Sequence, residues 1–141
     1  MDLKPYLRDA IAPAEVKRTL VIKLRHHGDV LLASPVLSAL KALAPHGEID
    51  ALVFADTAAM LEGHPALTQL HTLGRDWKTL GLWQQARYEL AALRALRARD
   101  YDLVIHLTDH PRGAWLTRLP APRWSVAPHR TRNSRWWKHS F

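Results

Sequence analysis

Five consecutive positions, Arg25-His26-His27-Gly28-Asp29, bring together a guanidinium, two imidazoles, a glycine and a carboxylate. A carboxylate can take the proton of a sugar hydroxyl as that hydroxyl attacks, provided the site holds the hydroxyl in line. Asp29 also fits a plainer role, as an N-cap or first-turn acid of the following helix, where the dipole favours negative charge. Arg25 and the later Arg112 suit an anion clamp, since a guanidinium grips phosphate or carboxylate in a bidentate fork; as solvated surface groups they would need no ligand. His26 and His27, with His106 and His110, offer hydrogen bonds to a saccharide or its phosphate, or simple loop packing. They do not read as a metal set. Adjacent histidines cannot easily share one face, no H-E-x-x-H spacing occurs, and the chain has no cysteine. Gly28 is explained by a positive φ or by close approach of a ligand. No G-x-G-x-x-G or Walker motif is present, so no cofactor is expected.

These residues need a scaffold, and the flanking pattern supplies one. Leu20 to Leu24 is a short apolar run suited to a buried parallel strand, and Val30 to Leu43 repeats apolar residues at helical spacing. Further strands are expected at Glu48–Phe54, Thr68–Leu73, Asp102–Leu107 and Arg123–Ala127. Asp56 or Thr57 should cap a short helix through Leu61. A long helix over Leu80–Arg99 should turn Trp83, Ala86, Leu90, Leu93 and Leu96 inward and leave Arg87, Arg94, Arg97 and Arg99 outside. Pro111 to Leu119 reads as another helix, its Trp115 in the core, and residues 3–11 as a short one ended by Pro13. Strands alternating with helices predict an α/β fold, a Rossmann-like doubly wound parallel sheet of order 3-2-1-4-5. Strands one and four are then neighbours at the reversal of winding. Loop 25–29 would meet loop 108–113 across the switch-point crevice, where open α/β sheets bind their ligands.

Composition narrows the remaining classes. The 141 residues suit one domain, and an apolar fraction of 48% suffices for a core. No apolar stretch reaches the length of a membrane span and Met1–Val16 does not resemble a signal peptide, so a cytoplasmic protein is the default. The net charge of +7 is concentrated at the end, where Arg123, Arg130, Arg132, Arg135 and Lys138 stand without an acid among Trp124, Trp136 and Trp137. Such a tail suits anionic lipid, acidic saccharide or nucleic acid. A non-catalytic binding module using it is therefore the alternative to an enzyme.

The stretch Leu20-Val-Ile-Lys-Leu-Arg-His-His-Gly-Asp-Val-Leu-Leu-Ala-Ser-Pro-Val-Leu37 resembles the opening of bacterial lipopolysaccharide heptosyltransferases, glycosyltransferase family 9. Its Arg-His-His-Gly-Asp loop is similar to the branch that adds the third, side-branch heptose of the inner core. Val53–Pro65, Tyr101–Leu107, Asp109–Trp115 and Arg135–Phe141 extend the resemblance from about residue 18 to the end. It implies the N-terminal half of a GT-B enzyme: residues 1–17 an extension, 18–127 a Rossmann-like acceptor-binding domain, and 128–141 a basic tail toward a donor-binding domain. The implied reaction is an inverting, metal-independent displacement. Asp29 would deprotonate the acceptor, with Arg25, His26, His27, Gly28, His110 and Arg112 as acceptor contacts. The acceptor would be the anionic lipopolysaccharide inner core. ADP-heptose would bind the C-terminal domain that this chain lacks, so the chain alone should not turn over. Peripheral contact with the inner membrane is expected, and nucleic acid is not.

Overall fold

The structure, a computed structural model, describes residues 11–75, 79, 81–108, 116 and 121–127. Five strands, β1 (Arg18–Ile22), β2 (Glu48–Phe54), β3 (Gln69–Leu73), β4 (Leu103–His106) and β5 (Trp124–Val126), form one sheet in the order β3-β2-β1-β4-β5. Every neighbouring pair is parallel. The expected order and winding are those observed. The β2 limits also agree, and the other strand limits differ by a residue or two.

Side chains along each strand alternate between two cores. Leu20, Ile22, Leu52, Phe54, Leu73 and Val104 pack on one face with Leu96 of helix α3 (Leu82–Ala98). Val21, Ile49, Ala51 and Val53 pack on the other with Val30 of α1 (His27–Leu31) and Leu37 of α2 (Ser34–Leu43). Helices on both faces leave β1 buried on both sides, which is why it reads as unbroken apolar sequence.

The helix expected over 30–43 is two helices. Pro35 has no N–H to donate to the Leu31 carbonyl, so the chain turns at Leu32–Ala33 and α2 restarts with proline in its first turn. The cap expected at Asp56 or Thr57 does not form. Ala55–Met60 is a 3-10 helix with no side-chain cap, and Thr57 instead donates its hydroxyl to the Phe54 carbonyl at 2.8 Å.

The inward stripe of α3 also differs. Leu96 is buried and Ala92 and Leu93 pack against the core, but Trp83 is 85% exposed, Leu90 46% exposed, and Ala86 faces solvent. Tyr88 hangs the first half of the helix on the sheet instead, its hydroxyl accepting the Gly74 N–H at 3.2 Å. The expected helices over 3–11 and 111–119 lie outside the described residues, apart from Ile11 and a helical, buried Leu116, as does Trp115.

Candidate active site

The carboxyl edge of the sheet carries the loop from β1. Leu24 is buried, and Arg25, His26, His27 and Gly28 are exposed as the chain leaves the sheet. His26 is extended (φ −77°, ψ 168°) and stands at the N-cap of α1 without a side-chain cap bond. Val30, fully buried, pins α1 to the sheet. Asp29, one residue earlier, is half-buried, and its carboxylate makes no hydrogen bond or ion pair among the described residues. It is a first-turn residue and not the N-cap, which removes one of the two plain roles. Gly28 is helical and its φ is not positive, so only close approach of a ligand remains of the two explanations; a Cβ there would meet nothing within 4 Å.

Two side chains that the sequence did not single out brace this edge. Arg75, just past β3, donates from Nε to Asp56 Oδ2 at 3.1 Å and from Nη2 to the Arg25 carbonyl at 3.2 Å. Its guanidinium also lies 4.3 Å from the Phe54 ring centroid. One arginine thus joins the segments that follow β1, β2 and β3. Lys23, at the end of β1, donates from Nζ to the Leu107 carbonyl at 3.1 Å and so spans the β1–β4 junction. Beside it the hydroxyl of buried Thr108 has no hydrogen-bond partner among the described residues. His110 and Arg112 lie outside the described residues, so the meeting of the two loops rests on the pairing of Ile22 with His106 in adjacent strands.

The opposite, amino edge holds a second polar cluster. Asp50, with no exposed surface, accepts from Arg99 Nε at 2.8 Å and Nη2 at 3.2 Å, from Tyr101 Oη at 2.6 Å, and from the Gln69 N–H at 3.1 Å. Since the Tyr101 proton goes to Asp50, His71 must donate from Nε2 to Tyr101 Oη at 3.0 Å. Glu48 joins Arg99 (2.8 Å) and Arg18 (2.7 Å). Burial works to raise the Asp50 pKa, but the His71 ring, with Nε2 3.5 Å from Oδ2, the hydrogen bonds from Arg99 and Tyr101, and the charge of Arg99 outweigh it and hold the carboxyl well below the usual range. Burial, and then the bond to Asp50, pushes the Tyr101 phenol well above its ordinary value. All of Asp50's neighbours are satisfied, and the cluster sits at the sheet end away from ligand-binding loops, so it is a structural clamp. Among the described residues no group of three or more His, Asp or Glu is placed to hold a metal ion, and no helix is long and apolar enough to cross a membrane.

The fold is thus a Rossmann-like α/β sheet with a polar loop at its switch point, an architecture shared with glycosyltransferase family 9. The solved family 9 glycosyltransferase from Veillonella parvula superimposes with a TM-score of 0.72 at 24% identity, over 84% of this chain and 34% of that one. E. coli heptosyltransferase WaaC with ADP-2-deoxy-2-fluoro heptose gives a TM-score of 0.74 at 23% identity, over 88% and 42%. In sequence the chain is 36% identical over 121 residues to lipopolysaccharide heptosyltransferase 3 of Escherichia coli strain K12, covering 84% of this chain and 34% of that protein. No family model matches the chain. Over 84% of its length the chain is thus similar to lipopolysaccharide heptosyltransferases, and it spans about a third of the length of the curated relatives it matches.

Proposed function

We propose that this chain is the acceptor-binding part of an inverting heptosyltransferase that moves heptose from ADP-heptose to the lipopolysaccharide inner core. The observation that carries the reading is the position of Asp29: a carboxylate without a partner among the described residues, on the loop that leaves β1 at the switch point. Asp29 accepts the proton of the acceptor hydroxyl as its oxygen attacks the anomeric carbon and ADP departs. A base in this role needs a free lone pair, and the Asp29 carboxylate keeps its own unengaged among the described residues. Arg25, His26 and His27 face the same solvent, where they hold the anionic core, with His110 and Arg112 contributing from the loop after β4. Gly28 lets the saccharide approach the backbone. Residues 18–127 form this acceptor domain, and 128–141 lead toward the donor-binding part, which holds ADP-heptose. Holding both substrates in line is most of such a catalyst, so transfer needs the donor-binding part beside this one.

The test is transfer of heptose from ADP-heptose to heptose-deficient core. It compares the chain alone, the chain joined to a relative's donor-binding part, and the joined form with Asp29→Asn. Transfer by the joined form only, abolished by the substitution, supports the reading. Undiminished transfer in the Asp29→Asn form removes Asp29 from the chemistry. The absence of transfer in every form would favour a binding module without catalysis.

A further inference from the structure

Helix α3 carries a second surface that the acceptor loop does not use. Positions 83, 87, 90, 94 and 97 recur at alternating steps of four and three, which places Trp83, Arg87, Leu90, Arg94 and Arg97 in one stripe along the helix. The stripe faces away from the sheet: all five residues are exposed, while Leu96 and Ala92 hold the other side of the helix to the core and Leu93 packs at its flank. None of the three arginines has a carboxylate partner among the described residues, and no acid interrupts the stripe. Leu82, also exposed, adjoins Trp83. The helix begins just beyond β3, where Tyr88 receives the Gly74 N–H, so its Trp83 end lies at the carboxyl edge of the sheet, the end that bears Asp29.

We propose that this stripe is a docking face for an anionic lipid bilayer. Charge complementarity selects that occupant. An exposed tryptophan and leucine between three unpaired guanidiniums match a surface that is apolar a few ångströms down and negative at the top. A second copy of this chain fits poorly, because a two-fold contact would set the arginines against each other. The helix lies flat, Trp83 and Leu90 enter the headgroup boundary, and the arginines take phosphates. A saccharide anchored in that bilayer is then presented to the carboxyl edge. Only this last step rests on the proposed transferase reading; lipid binding by α3 does not.

The full chain is sedimented with vesicles of phosphatidylcholine, with or without phosphatidylglycerol, across a salt series. Binding should need the anionic lipid and weaken as salt rises. Changing Arg87, Arg94 and Arg97 together to glutamine should weaken it about 100-fold, while changing the three to lysine should leave it nearly intact. Trp83→Ser should weaken it further. These side chains are exposed, so an unchanged denaturation midpoint confirms folding, and the lysine variant controls for it. Equal binding by the glutamine variant overturns the proposal and assigns the attraction to the basic residues near the C-terminus, which every variant retains. Equal binding to pure phosphatidylcholine, or binding of duplex oligonucleotide without binding of vesicles, overturns it as well. No donor or acceptor is present, so the result is independent of transfer.

Discussion

At the amino edge of the sheet Asp50 is buried among Arg99, Tyr101 and His71, with Glu48 and Arg18 closing the cluster outside it. At the carboxyl edge, Arg25, His26, His27 and Asp29 have no side-chain partners among the described residues. The two edges lie roughly 13 Å apart, four residue steps along β1. Both are rich in ionisable groups, so charge density alone does not mark a site. What separates them is satisfaction: at the amino edge the buried carboxylate is met by its own neighbours, and at the carboxyl edge these four side chains stay unengaged among the described residues. The first arrangement gives stability and the second, on the proposed function, gives chemistry, and substitutions should divide along the same line.

The largest expected effect is at the amino edge. Asp50→Asn removes the charge that Arg99 and Tyr101 point at, and should cost about 3 kcal/mol in denaturant unfolding at neutral pH. Tyr101→Phe leaves Asp50 with one donor fewer and His71 without its acceptor, for a loss of about 1–3 kcal/mol. Acid should act on the same cluster. The native pKa of Asp50 is depressed, so the unfolded chain binds the extra proton. The stability Asp50 supplies is complete above the unfolded value near 3.9 and drains away as pH falls from there toward the native value. Unfolding free energy measured from neutrality down to pH 3 should fall more steeply in the parent than in Asp50→Asn.

At the carboxyl edge the signs reverse. Asp29→Asn should move stability by less than about 0.5 kcal/mol, since no contact is lost, while abolishing transfer in the joined enzyme. The smallest functional contrast between the edges is a local one, at Arg75→Ala. Its pair with Asp56 is partly exposed, so the global cost should stay below about 1 kcal/mol, yet amide exchange across residues 25–28 should quicken while that in β1 is unchanged. A fall in global stability as large as that of Asp50→Asn would erase the distinction drawn here.

The part of this molecule that local pattern encodes was readable. β2 announces itself as Glu48-Ile-Asp-Ala-Leu-Val-Phe54, and alternation of strands with helices gave the sheet order and hence the neighbourhood of the Asp29 loop. The Asp50 clamp was not readable, because its main donors Arg99 and Tyr101 sit 49 and 51 residues from Asp50 and nothing near any of them signals the others. Arg75 was hidden for the same reason, 50 residues from the carbonyl it holds. The inward stripe of α3 is legible at Leu93 and Leu96 and not at Trp83, Ala86 and Leu90, because two sets of positions fit a helical period. The hydrophobicity of Trp83 and Leu90 favoured the set that tertiary packing leaves in solvent.

The central place of β1 also sets a timetable for synthesis. β2 and β3 follow it closely, whereas β4 pairs through contacts such as that between Arg18 and Asp102, 84 residues apart. At the pace of a ribosome the stretch from the end of β3 at Leu73 to the start of β4 at Leu103 takes roughly 1.5–6 s. During it a three-stranded sheet waits with the β1 edge open, and that edge is one of the most apolar stretches in the chain. Nascent chains should therefore be most prone to stick to one another after Leu73 has emerged and before Leu103 has.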